Sequence, residues 1–201
     1  ADKEFFARFK REINTLSSLN HPNIVRFYGA GELQGYTYYC MEFIDGESLQ
    51  MRIKREDRLP QNESLRICGD IAASYGIKFA LEPLNPAETN FMFTTIEGHA
   101  IASHVRHPAV KLLADIYHMS KQNEPLTNIP LVADQLAHVH ASEFDRSFPG
   151  AYDGAEKGEL LPNAADALSR AGYCGRVSCE AVYKDYHAEL PRIYEYMRRV
   201  F

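Results

Sequence analysis

From residue 62 onward, strand-like and helix-like signals alternate, and this order constrains the fold more than any other feature of the chain. Residues 77–82, 110–115, 137–141 and 176–180 are short apolar or alternating runs, which read as strands. Residues 94–105, 128–136, 162–171 and 187–200 read as helices, with Pro162 suited to a first turn and Gly172 to a C-terminal cap. Four βα units in succession predict an α/β fold built on a parallel sheet or part of a (β/α) barrel.

The strand ends carry the chemistry. Phe79-Ala80-Leu81 runs into Glu82 and then Pro83, and later strand candidates end in or carry Asp115, His140 and Glu180. Strand ends in α/β proteins present side chains to ligands. A single strand-end Glu is usually a cap or ion-pair residue, and a single His is usually a hydrogen-bonded core residue. Four such groups at successive strand ends form a candidate metal site. Three carboxylates and one imidazole suit Mn²⁺, Mg²⁺ or Co²⁺ better than structural zinc. His138 shares a strand face with His140.

The bulk properties exclude several classes. At 201 residues, 45% hydrophobic and 24% charged, the chain is long enough for one ordinary globular domain or two small ones. A net charge of −5 without a basic block argues against a nucleic-acid partner. No apolar run reaches the roughly 18 residues of a membrane span. Cys40, Cys68, Cys174 and Cys179 are scattered, which points to a reducing, cytoplasmic compartment rather than a disulfide scaffold. The N-terminus is charged, has no signal-peptide core, and starts as if cut from something longer. Charge is balanced over residues 1–61, whereas residues 62–201 carry the whole net negative charge and seven of the eight histidines. That unevenness suggests two origins.

In the first segment, Phe5, Phe6, Phe9, Ile13 and Leu16 recur at helical spacing, and His21-Pro22-Asn23 ends the run. Residues 24–28 and 36–43 read as the strands of a hairpin turning over 29–35, followed by a charged helix over 50–58. Phe9-Lys10-Arg11-Glu12, then Leu19 to Val25, then Tyr39 to Leu49 together resemble part of a protein-kinase N-lobe, over about sixty residues. The resemblance implies a small α+β unit with Glu12 as ion-pair Glu, Met41 as gatekeeper, and 42–44 as adenine-binding backbone. The Gly-rich loop, the phosphate-binding Lys strand, and the His-Arg-Asp and Asp-Phe-Gly motifs are missing, and phosphoryl transfer needs those positioning groups. An inactive kinase-like packing segment is therefore expected, with Glu12 a solvated helix charge.

Residues 59–65 read as a turn into a helix, with Asn62 as candidate N-cap, and the seam between segments falls within 59–72. The expected division is 1–61 and 62–201. Over the second part, Ala80-Leu-Glu-Pro-Leu-Asn85, Glu88-Thr-Asn90, Lys111 to Met119 and His138 to Gly150 resemble the xylose-isomerase-like sugar epimerases, most closely the tagatose/psicose type ketose 3-epimerases. The resemblance implies the last four βα units of a TIM barrel. It implies a metal, Mn²⁺ first with Mg²⁺ or Co²⁺ as alternatives, on Glu82, Asp115, His140 and Glu180. It implies Glu82 and Glu180 as the catalytic acid/base pair, and sugar contacts from Glu88, His118 and Arg146. The spacing of His140 to Arg146 favours His140 over His138 as ligand. No organic cofactor is implied. The implied reaction removes and returns a proton beside the ketose carbonyl through an enediolate. Asn85-Pro86 departs from the family, where Arg commonly follows the Asn.

The family's first four βα units are replaced by the kinase-like residues. A half barrel leaves two sheet edges and an inner face, expected to be apolar, to be covered by the first segment or by a second copy of the chain. The expectations are thus a small sugar as substrate, no nucleic acid, no membrane, and a homo-oligomer that completes the half barrel. A metal-binding scaffold without turnover is the alternative, and an inactive kinase fragment the third reading.

Overall fold

The computed structural model describes residues 11, 13–22 and 24–201. The expected helix around Phe5, Phe6 and Phe9, with Glu12, lies largely outside the described residues, as does Asn23; residues 13–18 are helical.

Strands β1 (Phe27–Leu33) and β2 (Tyr36–Met41) form an antiparallel hairpin. The expected strand at 24–28 and turn over 29–35 are corrected: the strand begins later and runs through both Gly29 and Gly31, and only Gln34 and Gly35 turn. Their φ angles of 51° and 80° suit a tight two-residue hairpin turn. Gly31 is tolerated because its cross-strand partner Tyr38 covers the missing side chain; a Cβ there would lie 2.7 Å from the Tyr38 hydroxyl. Helix α1 (Leu49–Glu56) is capped by Ser48, whose hydroxyl accepts from the Met51 N–H, and buries no residue. It is tied down by ion pairs, Arg55 with Glu47 and Arg52 with Glu56 and Glu63. Such solvent-screened pairs contribute little net stability.

Helix α2 (Gln61–Ser74) starts directly after Pro60, so Asn62 lies inside the helix and is not its cap. Strands β3 (Phe79–Leu81), β4 (Val110–Asp115), β5 (Leu136–Ala141) and β6 (Val177–Cys179) then form one parallel sheet in the order β3-β4-β5-β6. Between them run α3 (Thr95–Val105), the short α4 (Ile116–Lys121) and α5 (Leu160–Arg170), and α6 (Tyr186–Val200) closes the chain. A capping box starts α3: the Thr94 hydroxyl accepts from the Glu97 N–H, and the Glu97 carboxylate accepts from the Thr94 N–H. The helix expected over 128–136 is instead a 3₁₀ segment, Leu126–Val132. Pro130 lies inside it, and a residue without an N–H cannot continue an α-helical ladder. Gly172, expected as a cap, sits one residue past Ala171 with φ 65°.

One sheet face is the core. Leu112, Ala114, Val139 and Ala141 pack with Leu161, Ala164, Ala167 and Tyr196, and Leu81 and Val110 pack with Ala102 and Val105 of α3. Strand alternation sends the intervening residues to the other face. That inner face, expected to be apolar, is largely polar: Lys111 donates to Gln135 at 3.0 Å, and His138 pairs with Ser178 at 2.9 Å. Among the described residues β3 and β6 each pair on one side only. No described helix is long and apolar enough to cross a membrane.

Candidate metal centre

Parallel strands in register deliver side chains to a common end of the sheet. Asp115 is the last residue of β4 and pairs with His140 of β5, which pairs with Ser178 of β6; Glu82 and Glu180 follow β3 and β6 directly. One ligand atom from each of Glu82, Asp115, His140 and Glu180 lies within 4.8 Å of the others. His140 Nδ1 stands 3.3 Å from Glu82 Oε1, 2.5 Å from Glu180 Oε2 and 4.0 Å from Asp115 Oδ2. His138 is turned to Ser178, one step deeper in the sheet.

Asp115 is the most constrained of the four. It is 1% exposed, and its Oδ1 accepts from the Tyr117 N–H at 2.8 Å as the N-cap of α4. Its Oδ2 is buried with no hydrogen-bond partner. A buried unpaired carboxylate oxygen is costly and calls for an explanation. Burial raises the Asp115 pKa, and repulsion from Glu180 and Glu82 adds to the shift. Glu82 is held below its ordinary value by the hydrogen bond from His140. His140 is raised by that same bond, with the charges of Glu180 and Asp115 adding to it and burial opposing. Three carboxylates thus converge on one imidazole. The orphaned oxygen and the donor set both suit a hard divalent ion with oxygen-rich ligation.

The other expected site residues lie beside this cluster. His118 is 2% exposed, and its Nδ1 accepts from the Asn85 backbone N–H at 3.2 Å and faces the Asn85 side-chain amide at 2.9 Å. A backbone donor makes Nδ1 an acceptor, and Nε2 faces the rest of the cluster, 3.7 Å from Asp115 Oδ2 and 3.4 Å from the Arg146 guanidinium. Glu88 Oε1 accepts from the Asn85 amide at 2.9 Å and lies 4.0 Å from His118 Nδ1. Arg146 pairs with Glu180, and its guanidinium lies 4.7 Å above the Tyr117 ring. Its φ of 66° is left-handed, which costs a non-glycine residue about 1–2 kcal/mol. Two contributors were not singled out from the sequence. Asn85 orients His118, and Tyr117 carries Arg146. The available signals were Asn85 standing between Pro83 and Pro86 just past a strand end, and Tyr117 standing beside His118.

The chain is 33% identical to the L-ribulose 3-epimerase of Methylomonas sp. (strain DH-1) over 123 residues, covering 61% of this chain and 41% of that protein. A stretch covering 36% of the chain is 40% identical, over 73 residues, to 11% of the serine/threonine-protein kinase PrkC of Bacillus subtilis. The structure is similar to that of a D-allulose 3-epimerase from Methylomonas sp., with a TM-score of 0.60 at 22% identity, over 69% of this chain and 54% of that one. The chain therefore spans about two fifths of the length of the epimerase it matches in sequence. The family model for the xylose isomerase-like TIM barrel matches residues 1–200, and the chain belongs to that family.

Proposed function

We propose that residues 62–201 form the metal-binding, acid–base half of a ketose epimerase, and that residues 1–61 are a kinase-like segment without phosphotransfer activity. The observation that carries this reading is the buried, unpartnered Asp115 Oδ2 amid Glu82, His140 and Glu180. These four would hold a divalent cation, with Mn²⁺ preferred over Mg²⁺ or Co²⁺. A cation bound there supplies Lewis-acid stabilisation of negative charge growing on the sugar oxygens. Glu82 and Glu180 project from the two outer strands of the sheet and flank a sugar from opposite sides. One carboxylate removes the proton from the carbon beside the carbonyl, and the other returns a proton on the far face, which inverts the centre. Asn85 holds the His118 ring through Nδ1, so that Nε2 is presented to a sugar oxygen. Arg146 and Glu88 orient the same end of the sugar; a side chain already held by an aromatic ring loses little freedom in doing so.

The test uses the full chain loaded with Mn²⁺ and incubated with D-tagatose in deuterated water. The expected result is loss of the C3–H NMR signal. A rise in melting temperature with Mn²⁺ but no exchange would sink the catalytic reading and leave a metal-binding scaffold. That second reading is favoured by the two sheet edges that remain unpaired among the described residues.

The same edges carry an expectation about assembly. All four strands run in one direction, so the β6 edge of one copy can pair in parallel with the β3 edge of another, and twofold symmetry repeats the contact to close eight strands. Apolar side chains flank both edges. Tyr186, Leu190 and Tyr194 recur every four residues on α6, and Ile71, Tyr75 and Ile77 lie on α2 and the segment leading into β3; all six are exposed. The expected sedimentation mass is twice the 22.8 kDa of the chain. A monomer at micromolar concentration would overturn the closure.

A further inference from the structure

Three residues past His140, Glu143 is fully buried, and the chemistry above does not use it. Its Oε1 accepts from the Gly150 N–H at 3.0 Å, and its Oε2 has no hydrogen-bond partner. Burial pushes this carboxyl up. The main chain closes on the same residue: the Glu143 N–H donates to the Ser147 carbonyl at 3.0 Å, and the Glu143 carbonyl accepts from the Arg146 N–H at 2.9 Å. Residues 143–150 therefore form a loop held at both ends by one side chain, with Arg146 near its tip. The Arg146 carbonyl in turn accepts from the Val182 N–H at 2.8 Å, which ties the loop to the segment carrying Glu180.

Two features need such a clamp. Arg146 adopts a left-handed backbone that a non-glycine residue keeps only when its surroundings over-determine it. Gly150, at φ 88°, lies so close to Tyr196 of α6 that a Cβ would come within 2.7 Å of the ring. The Gly150 N–H is thereby fixed where the Glu143 carboxyl can accept from it. A carboxyl is an expensive group to bury for one hydrogen bond. The expense is explained if the bond sets where Arg146 points, namely at Glu180 and within 3.4 Å of His118 Nε2.

We propose that Glu143 is a positioning residue whose buried carboxyl clamps the 143–150 loop and so presents Arg146 to the sugar. This rests on the reading of Arg146 as a sugar-facing side chain, but the clamp itself can be tested without sugar or metal. The experiment compares wild type, Glu143→Gln and Glu143→Ala in the full chain by three measurements. These are amide hydrogen exchange of the metal-free protein, the melting shift with Mn²⁺, and the affinity of the Mn²⁺-loaded protein for D-tagatose. Glu143→Ala is expected to speed exchange of the Gly150 and Ser147 amides at least tenfold while β4 and β5 amides keep their protection. It is expected to weaken sugar binding about tenfold and leave the Mn²⁺ shift unchanged. Glu143→Gln, which keeps an acceptor for Gly150, is expected to restore both to within about threefold of wild type.

The proposal is overturned if Glu143→Ala leaves loop exchange and sugar affinity within twofold of wild type. It is equally overturned if all amides and the Mn²⁺ shift are lost together in both variants, since Glu143 would then only support the fold. If wild type itself binds no sugar, the functional reading fails on its own, and equal loop exchange in wild type and Glu143→Ala still overturns the clamp.

Discussion

Glu180→Gln is expected to slow interconversion of the two C3 epimers by about 10³-fold, within the range that positioned acid–base groups contribute. Glu180 is suited to the role by its place: it follows the edge strand β6, its side chain is 41% exposed, and it touches both His140 and Arg146. Gln keeps an oxygen for Arg146 and for a cation but cannot accept a proton, so the loss isolates the proton-transfer step. The metal-induced rise in melting temperature should shrink without vanishing. With two bases on opposite faces the defect is one-sided: the epimer whose C3 proton faces Glu82 should still exchange with solvent, while the other should not. Glu82→Gln should show the mirror image. NMR of each epimer in deuterated water separates these outcomes. Unchanged interconversion in both variants would remove the two carboxylates from acid–base work. Loss of exchange for both epimers in both variants would make them cation ligands only.

The parts of this site that were legible in the sequence are those fixed by strand periodicity. Residues 110–115 form a bounded, mostly apolar run, and β4 occupies those residues, with Asp115 at the end where the run stops. Glu82 and Glu180 were legible for the same reason, although β3 and β6 are shorter than their runs. Where a local signal misled, an identifiable contact prevailed. Gly29 and Gly31 read as a turn, but pairing with Tyr38 and its neighbours kept them in a strand. Apolar spacing over 128–136 read as a helix, but Pro130 held the segment in 3₁₀ form. An inner face expected to be apolar carries Lys111, His138 and Ser178, because alternation on β4 to β6 assigns the apolar residues to the helix side. The role of Glu143 had no local signal at all, and that of Asn85 had only its place between two prolines just past a strand end. Asn85 acts on His118 from 33 positions away, and Glu143 acts through a loop whose closure depends on Gly150 meeting Tyr196.

Asp115→Asn is expected to raise the melting temperature of the metal-free protein and to abolish the rise that Mn²⁺ gives the wild type. Both effects follow from the orphaned oxygen. In the metal-free chain Asp115 Oδ2 is buried without a donor, close to Glu82 and Glu180 through their shared neighbour His140. Because the folded pKa is raised, the native state binds the proton more tightly than the unfolded chain, whose Asp titrates near about 3.9. Stability is therefore highest below that value and falls as pH rises through the raised folded pKa. Asn has no such titration, keeps an oxygen for the Tyr117 N–H, and puts an N–H₂ donor where the unpaired oxygen was. The melting curves of the two proteins should converge in acid and separate towards neutral pH, with the variant higher. For wild type, a cation at 100 times its dissociation constant adds about 2.7 kcal/mol. In a chain of this size that corresponds to a rise of about 5–10 °C. In the variant that rise should be absent, because one of three anionic ligands is gone and a donor faces the cation. Calorimetry from acid to neutral pH, with chelator and with Mn²⁺, reads both effects. A variant less stable than wild type at neutral pH without metal would show that the Asp115 charge is already compensated by its neighbours. A variant that keeps the Mn²⁺ rise would show that the cation binds elsewhere.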